Sequence, residues 1–207
     1  MMPPLSRLAV PLALAVALAG CGASTPLRYH ALATGAASPA PSGGAQVLVE
    51  VLPVAVPERV NREEVVLTTI GGALDLRAGD RWAAPLADEM RQVVDEALWR
   101  RSRAADVYAA PPPPGAADAL PQYRLALRLE RLDATPDGQA VAEASWTLRR
   151  LPQGAQAFCR SGAAETVAGT DTAAAVAALS RATRTVAERI ADSLERLNSG
   201  PTDPCGG

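Results

Sequence analysis

From Tyr123 to Arg149 the chain switches between apolar and polar residues with a period of two, and no other stretch restricts the fold so tightly. Tyr123, Leu125, Leu127 and Leu129 alternate with Arg124, Arg128 and Glu130, while Ala142, Ala144, Trp146 and Leu148 alternate with Glu143, Ser145, Thr147 and Arg149. Successive side chains of a strand point to opposite faces, so this pattern describes two strands with one face on a core and the other in water. Pro136-Asp137-Gly138 lies between them and supplies turn chemistry. The pair predicts a β-hairpin, and its apolar face needs a second layer to cover it.

Two helical periodicities supply that layer. Leu86, Met90, Val93, Val94, Ala97 and Leu98 fall on one face of a helix that Pro85 can start, with Asp88 and Glu89 near its beginning and Arg100 and Arg101 near its end, as the helix dipole favours. A second helix, capped by Thr170 or Asp171, carries Val176, Leu179, Val186, Ile190, Leu194 and Leu197 at spacings of three, four and their sums; Asn198-Ser199-Gly200-Pro201 stops it. Further strands are expected at Val47–Leu52, which reads as the first, at Val107-Tyr108, and from Phe158 to about Val167. Val65–Ile70 and Leu74–Leu76 form a hairpin across Gly71-Gly72, closed by Gly79-Asp80. Pro111–Pro114 reads as a stiff extended loop, or alternatively as a proline-recognition ligand. The sum is an α/β fold: a mixed β-sheet of about six or seven strands with two amphipathic helices packed on one face, in a single domain.

The amino-terminal region has other properties. Arg7 is followed by an apolar run from Leu8, too short to span a bilayer as a helix, which ends in Leu18-Ala19-Gly20-Cys21. This layout is that of an export signal, and Leu-Ala-Gly-Cys resembles the lipobox of bacterial lipoproteins, in which the chain is cut before the cysteine and its thiol and new amino terminus are acylated. Cys21 is then the lipidation site. The alternatives are an ordinary signal peptide with a free Cys21 and a buried apolar helix, which Pro11 disfavours. Gly22 follows where an Asp would favour inner-membrane retention, so the expectation is an outer-membrane protein on the periplasmic face. Residues 1–20 are thus read as signal peptide, 21–45 as a flexible lipidated tether rich in Ala, Ser, Pro and Gly, 46–197 as the folded domain and 198–207 as a tail.

With Cys21 acylated, Cys159 and Cys205 remain. In an oxidising periplasm such a pair reads as a disulfide holding the tail to the body; the alternative is two free thiols. All 20 basic residues are arginine against 22 acidic ones, so no basic surface speaks for nucleic acid. His30, the single histidine, falls in the tether without other ligands near it, which removes the usual base for a hydrolase triad and leaves no zinc set. No Gly-x-Ser-x-Gly and no lysine-bearing phosphate loop occur. The expectation is a non-enzyme without cofactor or metal; a periplasmic hydrolase would require a deep polar pocket with perturbed carboxylates.

Taken in order, Cys21, Tyr29-His30-Ala31-Leu32, Val51-Leu52-Pro53, Arg62 before Val65-Val66, Arg81-Trp82-Ala83-Ala84-Pro85-Leu86 and Ala144-Ser145-Trp146-Thr147-Leu148 make the chain similar to the ABC-type transport auxiliary lipoproteins, which include the paraquat-inducible protein C group. The similarity covers most of the mature chain; His30 departs from it, standing where a second aromatic is more usual. It implies a lipid-anchored component of an MCE-type intermembrane lipid transport system that docks the periplasmic MCE subunit at the membrane, with copies of the chain associating. An assembly or scaffold lipoprotein unrelated to lipid transport is the alternative. By the same resemblance Trp82, Pro85 and Trp146 are core or turn positions, and Arg62 and Arg81 are candidates to bind a partner or lipid headgroups, or else simply exposed arginines.

Overall fold

The computed structural model describes residues 26–32, 41–108, 110–115, 119–200 and 203–206. Its largest layer is a five-stranded sheet built on the alternating hairpin, β6 (Gln122–Ala134) and β7 (Gln139–Arg150), which pair antiparallel with Leu125 opposite Leu148 and Leu127 opposite Trp146. β8 (Gln156–Thr166) continues the meander on one side. On the other side β2 (Val47–Val51) runs parallel to β6 and to β5 (Ala104–Asp106), giving the order β5-β2-β6-β7-β8. The alternation does what the pattern requires: Tyr123, Leu125, Leu127 and Leu129 are buried, while Arg124 and Arg128 face water. An irregularity between Leu129 and Arg131 then shifts the phase, so that Leu132 and Ala134 take the buried face.

Two helices cover that face. α1 (Leu86–Ser102) buries Leu86, Met90, Val93, Val94, Ala97 and Leu98, the expected stripe. Pro85 stands one position earlier than a first helical residue, and its carbonyl accepts the Asp88 and Glu89 N–H groups. α2 (Thr172–Ser199) is capped by Asp171, whose carboxylate accepts the Ala174 N–H at 2.7 Å. α2 packs on β7 and β8 and beside α1. Where it crosses the sheet both sides are small: Ala140, Ala142 and Ala144 face Ala175, Ala178, Ala182, Ala187 and Ala191, all fully buried. Alanine at these places lets helix and sheet approach closely, which answers how a core whose buried aromatics are Trp82, Tyr123 and Trp146 is filled. The Cys159–Cys205 bridge is present, tying β8 to the segment beyond α2, in agreement with the expected pairing.

Beside this body stands a three-stranded sheet in the order β1-β4-β3. β3 (Glu64–Thr68) and β4 (Leu74–Trp82) form the hairpin expected across Gly71-Gly72, and β1 (Arg28–His30) lies parallel to β4. The α/β class, with mixed β pairing and two amphipathic helices in a single domain, is as expected, and four details differ. The described residues hold eight strands in two sheets rather than six or seven in one. β4 continues through Gly79-Asp80 to Trp82, because β1 pairs with its last residues. The short strand is at Ala104–Asp106, not Val107-Tyr108. Val47–Val51 is the second strand: Arg28–His30, read as part of the tether, forms the first and brings Leu32 into the core.

Candidate functional site

β1 is joined to the body by side chains that converge on one carboxylate. Asp80 on β4 is 4% exposed. Its Oδ1 lies 2.8 Å from His30 Nε2 and 3.0 Å from Arg28 Nε, and its Oδ2 accepts the Thr172 hydroxyl at 2.9 Å. A carboxylate can only accept, so the imidazole presents its Nε2–H. Burial alone would lift the Asp80 carboxyl, but the hydrogen bonds from His30, Thr172 and Arg28, with the Arg28 charge, outweigh it and hold the group below its ordinary 3.8. Two residues on, the Leu32 N–H donates to Glu89 Oε2 at 2.8 Å. Three polar contacts and a buried leucine thus lock a short strand onto both the small sheet and α1. The roles of Asp80 and Glu89 were not legible in the sequence, because their partners Arg28, His30 and Leu32 lie in a segment whose composition reads as unstructured, and Thr172 is distant in sequence from Asp80.

Along the outer side of β1 runs an open groove of about 710 Å³ lined by Leu27, Tyr29, Arg62, Arg81, Trp82 and Pro85, among others. Positions singled out separately in the sequence therefore meet here. Arg81 Nη1 lies 2.6 Å from Glu63 Oε2 and 3.7 Å from Glu64 Oε1; Arg62 Nε lies 3.9 Å from Glu64 Oε2. The two arginines flank one acidic pair, which neutralises much of their charge. Trp82 is buried as β4 turns toward α1, and Tyr29 stands 65% exposed at the groove edge. Trp146 is elsewhere, buried on β7 in the five-stranded sheet. Cys21 lies outside the described residues.

A second cleft of about 450 Å³ lies between α1 and β5, lined by Asp88, Arg91, Asp95, Trp99 and Asp106 among others. Burial pushes the Asp95 carboxyl up, nearby Asp106 adds to this, and Arg91 pulls it back. Asp106 is occupied structurally: it pairs with Arg91 and accepts the Val51 and Tyr108 N–H groups at 3.2 and 2.9 Å. Among the described residues no serine, cysteine or histidine lines this cleft, and no group of three His, Cys, Asp or Glu could hold a metal. What the arrangement does is fasten β5 and the turn after it to α1.

Comparison with known proteins joins these parts. The model of the ABC-type transport auxiliary lipoprotein component family matches residues 30–191, from the histidine on Asp80 through most of α2. The chain belongs to this family. Within it, the Tyr29–Leu32, Arg62, Arg81–Leu86 and Ala144–Leu148 motifs are now seen to be two groups, one around the groove and one in the core. No curated protein matches the chain. Among solved structures, an uncharacterized protein is similar at 19% identity over 82% of this chain and 99% of its own, with a TM-score of 0.64. Protein XCC0632 from Xanthomonas campestris, of family DUF330, is similar at 21% identity over 72% and 83%, with a TM-score of 0.54. At these identities the likeness concerns the fold. The auxiliary lipoprotein fold is thus a helix-covered sheet with a small sheet beside it; none of its described helices is long and apolar enough to cross a membrane.

Proposed function

We propose that this auxiliary lipoprotein is a non-catalytic component of an MCE-type, ABC-linked intermembrane lipid transport system, anchored through acylated Cys21 on the periplasmic face of the outer membrane, where it docks the periplasmic MCE subunit. The observation that carries the reading is the family match over residues 30–191. The groove beside β1 supports it, since Tyr29, Arg62 and Arg81 there offer an aromatic edge and two partly exposed guanidinium groups to a protein surface. In the second cleft Asp106 is taken up by Arg91 and by backbone N–H groups, which gives that region a fastening role within the domain. Copies of the domain are expected to associate around a shared axis, as the family resemblance implies.

Affinity capture of the lipidated protein from crosslinked native membranes tests the proposal. An MCE-domain subunit in the captured set, diminished by reversing charge at both Arg62 and Arg81, is the expected result. Capture of other envelope proteins with no MCE subunit would support an assembly role and remove lipid transport from the account.

A further inference from the structure

We propose that the turn of the β3–β4 hairpin, with Ile70 at its apex, enters the headgroup layer of the bilayer that holds Cys21. The inference rests on the lipid-anchor reading of Cys21 made above. Among the described residues the exposed large apolar side chains are Leu27, Tyr29, Ile70, Leu74, Leu76, Tyr108 and Phe158; the first five lie on the hairpin or on the segment that enters it as β1, and Ile70 is 95% exposed. Scattered exposed apolar side chains are ordinary, but several of them on one small sheet mark a contact surface.

The chemistry of the turn suits a lipid surface. From Thr68 to Leu74 there is no charged residue, and the next two charges along β4, Asp75 and Arg77, pair at 3.2 Å. Its backbone is partly satisfied from within: Thr69 N–H donates to Ala73 O, Gly72 N–H to Thr69 O, each at 2.8 Å, and Ala73 N–H to the Thr69 hydroxyl at 3.1 Å. Gly72, at φ +82°, closes the turn in the left-handed region. A turn that needs little water for its own polar groups loses little on entering the interface.

Direction and reach choose the occupant. β1 is parallel to β4, with Arg28 opposite Asp80 and His30 opposite Trp82, so the chain ahead of Arg28 arrives from the side on which the turn lies. Only residues 22–26 separate Cys21 from Leu27, a reach of about 20 Å even if fully extended. Leu74 precedes Asp80 by six residues of β4, also about 20 Å. Acyl chains on Cys21 hold the bilayer within about 20 Å of Leu27, a radius that reaches from the Arg62–Arg81 groove, where Leu27 itself lies, to the turn at the start of β4, the side from which β1 is entered. A leash lasting to residue 45 would have allowed about four times that reach and fixed nothing.

The test uses the acylated protein in phosphatidylcholine vesicles whose acyl chains carry bromine, a short-range quencher of tryptophan. Ile70→Trp places a reporter at the turn. Phe158→Trp serves as control: Phe158 is 77% exposed but pairs with Thr147, about 25 Å along β7 from the β6–β7 turn that shares a groove with Ile70. The emission added by Ile70→Trp should shift to the blue and be quenched, while that added by Phe158→Trp is not. Equal behaviour of the two, or an Ile70→Trp signal unmoved by lipid and shifted only by added envelope protein, overturns the proposal. Mass analysis of the same preparation keeps the two readings apart. A chain found without acyl groups removes the anchor, and quenching on added vesicles still decides the turn; an acylated chain with an unquenched turn removes only the contact.

Discussion

Asp80 stays ionised out of contact with bulk water because three donors converge on it, and this carries a testable sign. Its pKa is held below the ordinary 3.8, so the ionised form favours the fold; that contribution is complete above about pH 4 and is lost as pH falls through the lower native value. Asp80→Asn should cost roughly 1–3 kcal/mol near pH 7, since it strands the partners of a buried acceptor. The difference from the parent should narrow at pH 3. Urea unfolding at both values checks this, and a gap that does not change with pH would remove Asp80 as its source. None of this was legible in Gly79-Asp80-Arg81, which has the composition of a turn. What makes Asp80 special is His30 and Thr172, distant residues that no local pattern connects to it. Trp146, by contrast, was readable as a core residue, because alternation on its own strand fixed the face it takes.

Among the elements, those defined by their own periodicity were foreseeable and those defined by a distant partner were not. β6, β7, α1 and α2 declare themselves through apolar spacing, and the β3–β4 hairpin through Gly71-Gly72. β1 and β5, three residues each, exist only because β4 and β2 offer parallel edges to them. Parallel pairing needs no adjacent turn and leaves no local signature. The Cys159–Cys205 bridge was foreseeable from redox compartment and cysteine number. It closes a loop with a sequence separation of 46, worth about 4 kcal/mol on the chain-entropy account. Cys205→Ser should therefore lower the guanidinium midpoint of the oxidised protein toward that of the reduced parent. Identical midpoints for all three would show that the bridge contributes nothing to the native state.

At the scale of the whole molecule, the sequence motifs that pointed to the family are of two physical kinds. Trp146 and its neighbours build the sheet that carries the domain, whereas Tyr29, Arg62 and Arg81 border a groove next to β1. The docking of β1 unites them: with Cys21 acylated as proposed, it leaves only residues 22–26 between the anchor and the fold and gives the domain a defined side toward the membrane. That side matters only if residue 21 carries lipid. Envelope fractionation with mass analysis of the mature amino terminus, for the parent and for Cys21→Ser, is the most direct measurement. The account predicts a parent that begins at an acylated Cys21 and sediments with the outer membrane, and a variant that is not cut at that bond. A variant cut there all the same, and held in the envelope as firmly as the parent, would contradict it.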